Sequence, residues 1–144
     1  MKEIILTIGT NLGDRQENLK KALDLLKEKI SIESISNEFY NNAMLPENAP
    51  KEWDKEFINI AIYAKTKLDP YELLSFVKKI EESMGRIDYE KWSPRIIDID
   101  IIFYDKLKIK ERDLVIPHPG IFDREFFQIT VKEIVPNYKE KFLL

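Results

Sequence analysis

Hydrophobic residues recur along the chain with two spacings, one typical of strands and one typical of helices. Strand-like segments span Ile4–Ile8, Ile32–Tyr40, Phe57–Lys65 and Ile96–Phe103. Helical spacing runs from Asp14 to about Lys29, from Asp69 to Gly85, and from Asp123 to about Ile134. The predicted order is therefore strand–helix–strand–strand–helix–strand, followed by short extended segments near 108–109 and 114–118 and by a last helix.

Local signals mark where the two central helices begin and end. Asp14 and the pair Asp69-Pro70 are good first residues for helices, and Gly85 is a good terminator,. Between the second and third strands, residues 41–55 have no periodicity. So long a loop in a short chain indicates a functional segment.

This order is the split βαβ pattern of ferredoxin-like α+β folds. We therefore predict a mostly antiparallel sheet with helices packed on one face and the active site on the other. At 144 residues the chain is expected to form a single domain, 1–144,. Strict alternation from 57 to 65 assigns Phe57 and Asn59 to one face and Ile58 and Ile60 to the opposite face,.

The fourth strand carries the strongest chemical signal, because Asp98 and Asp100 interrupt an isoleucine-rich run. Residues two apart on a strand share a face and lie roughly 6.5–7 Å apart. Two carboxylates side by side in an apolar setting favour a hard cation such as Mg²⁺, which suits phosphate substrates. The alternative is a pair of aspartates that binds arginines on an exposed face.

Composition narrows the function. The 23 basic and 26 acidic residues give a net charge of −3, so nucleic acid is not expected as a partner,. The absence of cysteine and the single histidine exclude disulfides and multi-histidine zinc sites,. With no signal peptide or membrane-length apolar run, we expect a cytoplasmic protein, and we expect it to be a monomer.

Further groups suited to phosphate surround the acidic strand, although each alone is also typical of a surface charge or a loop residue. They are Arg86, Lys91, Trp92, Arg95, His118 and Arg124. Arginine offers paired donors to phosphate oxygens, which makes the joint pattern more informative than any one residue.

Six separated motifs together resemble the hydroxymethyl-dihydropterin pyrophosphokinases of folate biosynthesis. In chain order they are I-G-T-N-L-G-D-R from position 8, F-I-N from 57, G-R from 85, W-S-P-R-I-I-D-I-D from 92, D-L-V-I-P-H-P from 113 and R-E-F from 124. The resemblance implies transfer of pyrophosphate from ATP to the hydroxymethyl group of 6-hydroxymethyl-7,8-dihydropterin, giving the pterin diphosphate and AMP.

The same resemblance assigns roles to individual residues. It implies that Asp98 and Asp100 bind two Mg²⁺ ions and that Arg86 and Arg95 are the catalytic arginines, carried on mobile loops. The residues implied to hold ATP are Glu81, Lys91, Trp92, His118 and Arg124. The residues implied to bind the pterin are Asn42, Ala43, Phe57, Asn59 and Phe126. For Glu81, a solvated position on a helix face is an equal alternative.

The chain departs from the family pattern at several positions. Asn42-Ala43 stands where the family usually has Thr-x-Pro, Asp88 where many members carry a basic residue, and Lys91 where arginine is common. Two other functions stay open: a non-catalytic domain that binds nucleotide or pterin, and a different Mg²⁺-dependent phosphotransferase with another flat acceptor.

Overall fold

The computed structural model describes residues 1–43, 45–87 and 93–144, and a five-stranded antiparallel sheet forms its centre. The strands are β1 (Lys2–Thr10), β2 (Ile30–Ile35), β3 (Phe39–Asn41), β4 (Phe57–Thr66) and β5 (Asp98–Tyr104), with a separate small pair β6 (Ile109–Lys110) and β7 (Val115–Ile116). The helices are α1 (Arg15–Leu26), α2 (Pro70–Ser83), α3 (Gly120–Asp123) and α4 (Glu125–Ile134). A 3₁₀ turn spans Lys51–Trp53 and a wide helical turn spans Lys139–Leu143.

The strand order β2-β4-β1-β5 places β1 and β4 at the centre, and β3 continues along the edge of β4 beyond β2. All of these pairings are antiparallel. The predicted α+β, ferredoxin-like fold is confirmed. The predicted strand 32–40 is in fact two strands, because the Ser36 hydroxyl replaces a strand partner by accepting from the backbone N–H of Ala61 at 2.8 Å.

The two predicted central helices are present because their caps are formed. The Asp14 carboxylate accepts from the N–H of Glu17. Asp69 and Glu72 form a reciprocal capping box, with Pro70 in the first turn,. Gly85 follows α2 with φ +90°, a left-handed conformation that favours glycine and turns the chain toward the sheet,.

One face of the sheet forms the larger core, under α1 and α2. Alternate residues of β1 and β4 point into it, as the periodicity predicts, and the helices contribute one apolar stripe each,. The members at the centre of this core are Ile4, Leu6, Ile8, Ile58, Ile60, Ile62, Leu19, Leu26, Leu73 and Val77.

The opposite face is divided between packing and an open site. Helix α4 and the C-terminal turn cover one half, where Phe127 and Phe142 pack against Ile5 and Phe103. The sequence predicts helices on one face only; α4 packs on the second face because Phe127 and Val131 give it an apolar side of its own. The other half of this face stays open and carries the acidic pair. Among the described residues, no helix is both long and apolar enough to cross a bilayer.

Candidate active site

The acidic pair of β5 lies at the centre of a cavity of about 510 Å³. Asp98 is opposite Gly9 on β1 and Asp100 is opposite Thr7, so both carboxylates project to the open half of the sheet. Gly9 is in turn opposite Asn59 on β4. The sheet register therefore brings Asn59 and Asp98 to the same row, with the bare backbone of Gly9 between them.

Asp98 is held in an unfavourable setting for a carboxylate. Burial raises its pKa, and the neighbouring charge of Asp100 raises it further, to about 7. Arg86 at 2.9 Å and Arg95 at 3.8 Å act in the opposite direction without cancelling the effect. A site in which Asp98 resists ionisation despite two nearby arginines is one that a cation stabilises,.

Glu81 is buried at the inner wall of the cavity, with 6% of its surface exposed. Its Oε2 accepts from the N–H of Ile99 at 2.8 Å and from Nη1 of Arg86. The same Nη1 donates to Oδ1 of Asp98. Burial raises the pKa of Glu81, against these donors. The alternative of a solvated helix-face position is therefore wrong, and Glu81 joins α2, β5 and Arg86.

Arg95 is positioned through its backbone by the end of β1. Its N–H donates to Oδ1 of Asn11 at 2.8 Å, and its carbonyl accepts from the N–H of Asn11 at 3.1 Å. The buried Asn11 also donates from Nδ2 to the carbonyl of Lys55, at the end of the 42–56 loop. One asparagine thus holds both the segment of Arg95 and the end of the loop that leads to Phe57, and those two residues line the cavity.

His118 lies on the far side of the acidic pair. Its Nδ1 accepts from the N–H of Gly120 at 3.0 Å, which leaves Nε2 to carry the proton that faces Asp100, 3.6 Å away,. The ring packs edge-on against Phe127, and a side chain at position 120 would collide with that phenylalanine at 2.2 Å. Glycine at 120 therefore allows His118 and Phe127 to meet. Arg124 stacks over the Phe127 ring at 5.8 Å.

The other end of the cavity is aromatic and amide-lined. Phe57, Asn59 and Phe126 all contribute to its wall. Asn42 and Ala43 do not line the cavity; the neighbouring Asn41 does, and its Oδ1 accepts from Nδ2 of Asn59. Asn41, which was not among the predicted site residues, therefore supplies the amide side chain at this part of the wall.

The cavity thus joins ten of the residues predicted from the sequence. They are Phe57, Asn59, Glu81, Arg86, Arg95, Asp98, Asp100, His118, Arg124 and Phe126. Lys91 and Trp92, also predicted, lie outside the described residues, as does Asp88.

The lining residues that were not predicted include the polar side chains of Thr7, Asn41, Lys78 and Arg112. Lys78 has a sequence signal, since it precedes Glu81 by one helical turn and so shares its side of α2. Asn41 and Arg112 have none, because only strand pairing and loop placement bring them to the cavity.

The donor set at the acidic pair fits Mg²⁺. Within residues 1–43, 45–87 and 93–144 there is no cluster of three or more metal-binding side chains. Mg²⁺ needs no such cage, because it is commonly held by one or two carboxylates with water and substrate phosphates. The high pKa of Asp98 adds to the fit, since a bound cation stabilises a carboxylate whose ionisation is opposed by burial and by the charge of Asp100,.

Residues 5–136 match the family model for 7,8-dihydro-6-hydroxymethylpterin-pyrophosphokinase. The chain is 40% identical over 137 residues to the 2-amino-4-hydroxy-6-hydroxymethyldihydropteridine pyrophosphokinase of Aquifex aeolicus, covering 95% of this chain and 82% of that protein. It is also 40% identical to the folate synthesis bifunctional protein of Chlamydia caviae, covering 93% of this chain and 30% of that longer protein.

The fold has a counterpart among solved structures. The HPPK-DHPS protein of Plasmodium falciparum aligns with a TM-score of 0.64 and 18% identity, covering 94% of this chain and 40% of that one. Similarity at this identity supports the shared fold alone. The chain spans less than half the length of both this protein and the Chlamydia relative.

Proposed function

The chain belongs to the 7,8-dihydro-6-hydroxymethylpterin-pyrophosphokinase family, and we propose that it transfers pyrophosphate from ATP to 6-hydroxymethyl-7,8-dihydropterin. The products are the pterin diphosphate and AMP, as a step of folate biosynthesis. One observation carries this proposal: a carboxylate pair with two arginines and an aromatic, amide-lined wall share one cavity. The carboxylates and arginines suit a polyphosphate, and the aromatic, amide-lined wall suits a flat heterocycle with hydrogen-bonding edges.

At the phosphate end, Asp98 and Asp100 are proposed to hold two Mg²⁺ ions. When bound, these ions supply positive charge to the triphosphate oxygens and to the bond that breaks. The carboxylates orient the ions, and the elevated pKa of Asp98 means that ion binding displaces a proton below about pH 7,.

Arg86 and Arg95 are proposed to contact the phosphoryl oxygens during transfer. In this structure Arg86 bonds to Glu81 and Asp98, so its guanidinium is already aimed at the acidic pair. The role of Glu81 is then to hold Arg86, which differs from direct nucleotide contact. His118, Arg124, Lys91 and Trp92 are the remaining residues proposed to hold ATP.

The reaction is a displacement at the β-phosphorus of ATP. The pterin hydroxymethyl oxygen forms a bond to this phosphorus as the bond to the α–β bridging oxygen breaks. That oxygen leaves with the electron pair as part of AMP, and the hydroxyl proton is released to water. Such transfer depends on alignment and on stabilisation of charge more than on a strong base.

At the acceptor end, Phe57 and Phe126 are proposed to pack on the faces of the pterin ring, and Asn59 to bind its amide-like edge. Asn59 offers a donor and an acceptor on one planar group, which matches a heterocycle that presents both. Asn42 and Ala43 are proposed to contribute through their backbone groups, because neither residue lines the cavity.

We also propose that residues 1–144 form one domain that works as a cytoplasmic monomer. Support comes from the two cores, which share the central strands β1, β4 and β5 and so form one packed unit. The balanced charge of the chain is consistent with small-molecule substrates,.

The fate of each phosphate tests the reaction type. Wild-type protein is incubated with ATP, Mg²⁺ and the pterin, and the products are identified by ³¹P NMR. Pyrophosphoryl transfer gives AMP together with two coupled phosphorus resonances on the pterin. ADP with a pterin monophosphate would instead show a γ-phosphoryl kinase and overturn the proposal.

A further inference from the structure

Asn41 occupies a place in the site that the family resemblance does not assign. It is the last residue of β3, opposite Phe57 on β4 and diagonal to Asn59, and its side chain lines the acceptor end of the cavity. Diagonal neighbours on one face of an antiparallel pair lie within reach of longer side chains. Asn41 and Asn59 use this reach to bond directly.

The orientation of both amides follows from one backbone carbonyl. Nδ2 of Asn41 donates to the carbonyl oxygen of Asn42 at 3.2 Å. A carbonyl can only accept, so the nitrogen of Asn41 must face it, and the oxygen of Asn41 must face Asn59. That oxygen in turn accepts from Nδ2 of Asn59. These two hydrogen bonds therefore fix which end of the Asn59 amide is nitrogen and which is oxygen.

The oxygen of Asn59 lies over the bare backbone of Gly9. A Cβ at position 9 would be only 2.7 Å from Oδ1 of Asn59, so glycine is what allows the amide to lie across β1. Asn59 is 6% exposed, and no donor among the described residues reaches its Oδ1. The amide thus presents an acceptor to whatever occupies the cavity.

We propose that Asn41 is a positioning residue that sets the acceptor specificity of the site by holding the Asn59 amide with its oxygen available. This inference rests on the proposed function. A pterin has a ring N–H beside a 2-amino group, and both are donors that suit a fixed carbonyl oxygen. A 2,4-dioxo analogue replaces the amino group with an oxygen, which such an acceptor repels. If the Asn59 amide could rotate, it would accommodate the pterin and the dioxo analogue alike. Its fixed orientation therefore creates the preference for the pterin.

The test compares two substitutions at position 41. Asn41→Leu is similar in size and removes the acceptor, whereas Asn41→Asp retains an oxygen that can accept from Asn59. Tyr40→Phe is the matched control, since Tyr40 is exposed on the same strand and its hydroxyl bonds only to Glu38 among the described residues. Asn41→Ser, whose side chain is too short to reach Asn59, is used in place of Asn41→Leu if circular dichroism shows that Asn41→Leu disturbs the fold.

Steady-state kinetics are measured with the pterin and with its 2,4-dioxo analogue. We expect Asn41→Leu to raise KM for the pterin about threefold to tenfold and to reduce the preference over the analogue by a similar factor, the effect of one lost neutral hydrogen bond. KM for ATP should stay unchanged. Asn41→Asp should keep the wild-type preference, and Tyr40→Phe should match wild type throughout.

The outcomes separate this inference from the function on which it rests. If wild type neither binds nor converts the pterin, the proposed function is wrong and the inference falls with it. If wild type converts the pterin but Asn41→Leu keeps both KM and preference, the inference alone is overturned. The same holds if Asn41→Asp is as impaired as Asn41→Leu, because the acceptor oxygen at position 41 would then not determine the preference.

Discussion

Asp98 is the residue where stability and proposed function conflict. Burial and the neighbouring charge of Asp100 raise its pKa to about 7, so the folded protein holds this proton at pH values where the unfolded chain has lost it,. The contribution of Asp98 to stability is fully present below its unfolded pKa and is lost as the pH rises through about 7,. The carboxylate therefore destabilises the metal-free protein at the pH where it is ready to bind a cation.

Replacing this carboxyl with an amide should remove the pH dependence. We expect metal-free wild type to lose thermal stability between pH 5 and pH 8 by more than Asp98→Asn does, with a difference on the order of 5 °C. Differential scanning calorimetry at the two pH values, with chelator present, measures this. Asp123→Asn, at an exposed position, serves as control and should behave as wild type. Equal losses in wild type and Asp98→Asn would show that Asp98 titrates normally.

Arg95 should act in the transition state more than in nucleotide binding. Its guanidinium is already 3.8 Å from Asp98, and its backbone is fixed by Asn11. We expect Arg95→Ala to lower kcat by about a hundredfold or more while the Kd for an ATP analogue changes little, as in the loss of a charge-stabilising donor. Single-turnover kinetics and an equilibrium titration separate the two quantities. A normal kcat with a raised KM would give Arg95 a binding role only.

At the scale of elements, the site depends on how loops are attached to the sheet. Asn11 follows β1 directly, and its three hydrogen bonds reach both the segment of Arg95 and the end of the 42–56 loop. The segment of Arg95 and the loop that leads to Phe57 are thus both hydrogen-bonded to the residue that follows β1, the strand that carries Gly9 and Thr7.

Removing the side chain of Asn11 should loosen both the segment of Arg95 and the end of the 42–56 loop. Asn11→Ala loses two of the three bonds and leaves the carbonyl of Lys55 without its donor, which should cost about 1–3 kcal/mol of unfolding free energy. Because Arg95 is then less well placed, kcat should fall more than substrate affinity. Urea denaturation and steady-state kinetics provide the measurements, with the exposed Asn137→Ala as control. Loss of stability with an unchanged kcat would mean that Asn11 only supports the fold.

The sequence predicts those elements whose signals are local. The caps at Asp14 and Asp69 and the alternation along β4 are confirmed, because each depends on neighbouring residues only. The break between β2 and β3 was not predicted, since it depends on a bond from Ser36 to the distant Ala61. Asn41 was missed for the same reason: its position in the site is created by the pairing of β3 with β4.

For the site, the alternation of residues along each strand predicts which side chains share a face. The pairing register of β1, β4 and β5, which the sequence does not show, then brings them together. Phe57, Asn59, Asp98 and Asp100 do share one face, as the periodicity predicts. The burial of Glu81 could not be read from its helix, because the apolar stripe of α2 does not show that the N–H of Ile99 would meet a carboxylate there. The individual roles of these residues stay predictions.

On the scale of the whole molecule, most of the packing on the second face lies away from the acidic pair. The rings of Phe103 and Phe142 stack with centroids 4.9 Å apart on the packed half, while the acidic pair lies on the open half. Lys141 adds an ion pair to Glu3 at 3.0 Å beside this stack. The C-terminal turn thus seals this core and contributes no residue of its own to the site, whereas Phe127 belongs to both the core and the cavity wall.

Truncation in this packed half should destabilise the protein without changing its chemistry. Phe142→Ala removes a fully buried ring and should cost about 3–5 kcal/mol of unfolding free energy,. Well below the melting temperature, KM and kcat should remain those of wild type. The neighbouring Leu144 is 77% exposed, so Leu144→Ala should leave stability unchanged. If Phe142→Ala altered KM for the pterin, packing under the C-terminal turn would affect the open half of this sheet face.

The central claim is that one cavity joins the triphosphate of ATP to a pterin. AMP release from ATP and Mg²⁺ tests it most directly, measured with and without 6-hydroxymethyl-7,8-dihydropterin, for wild type and for Asp100→Ala. We predict AMP from wild type only when the pterin is present, and none above background from the variant. AMP formed equally without the pterin, or turnover that survives in Asp100→Ala, would contradict the account.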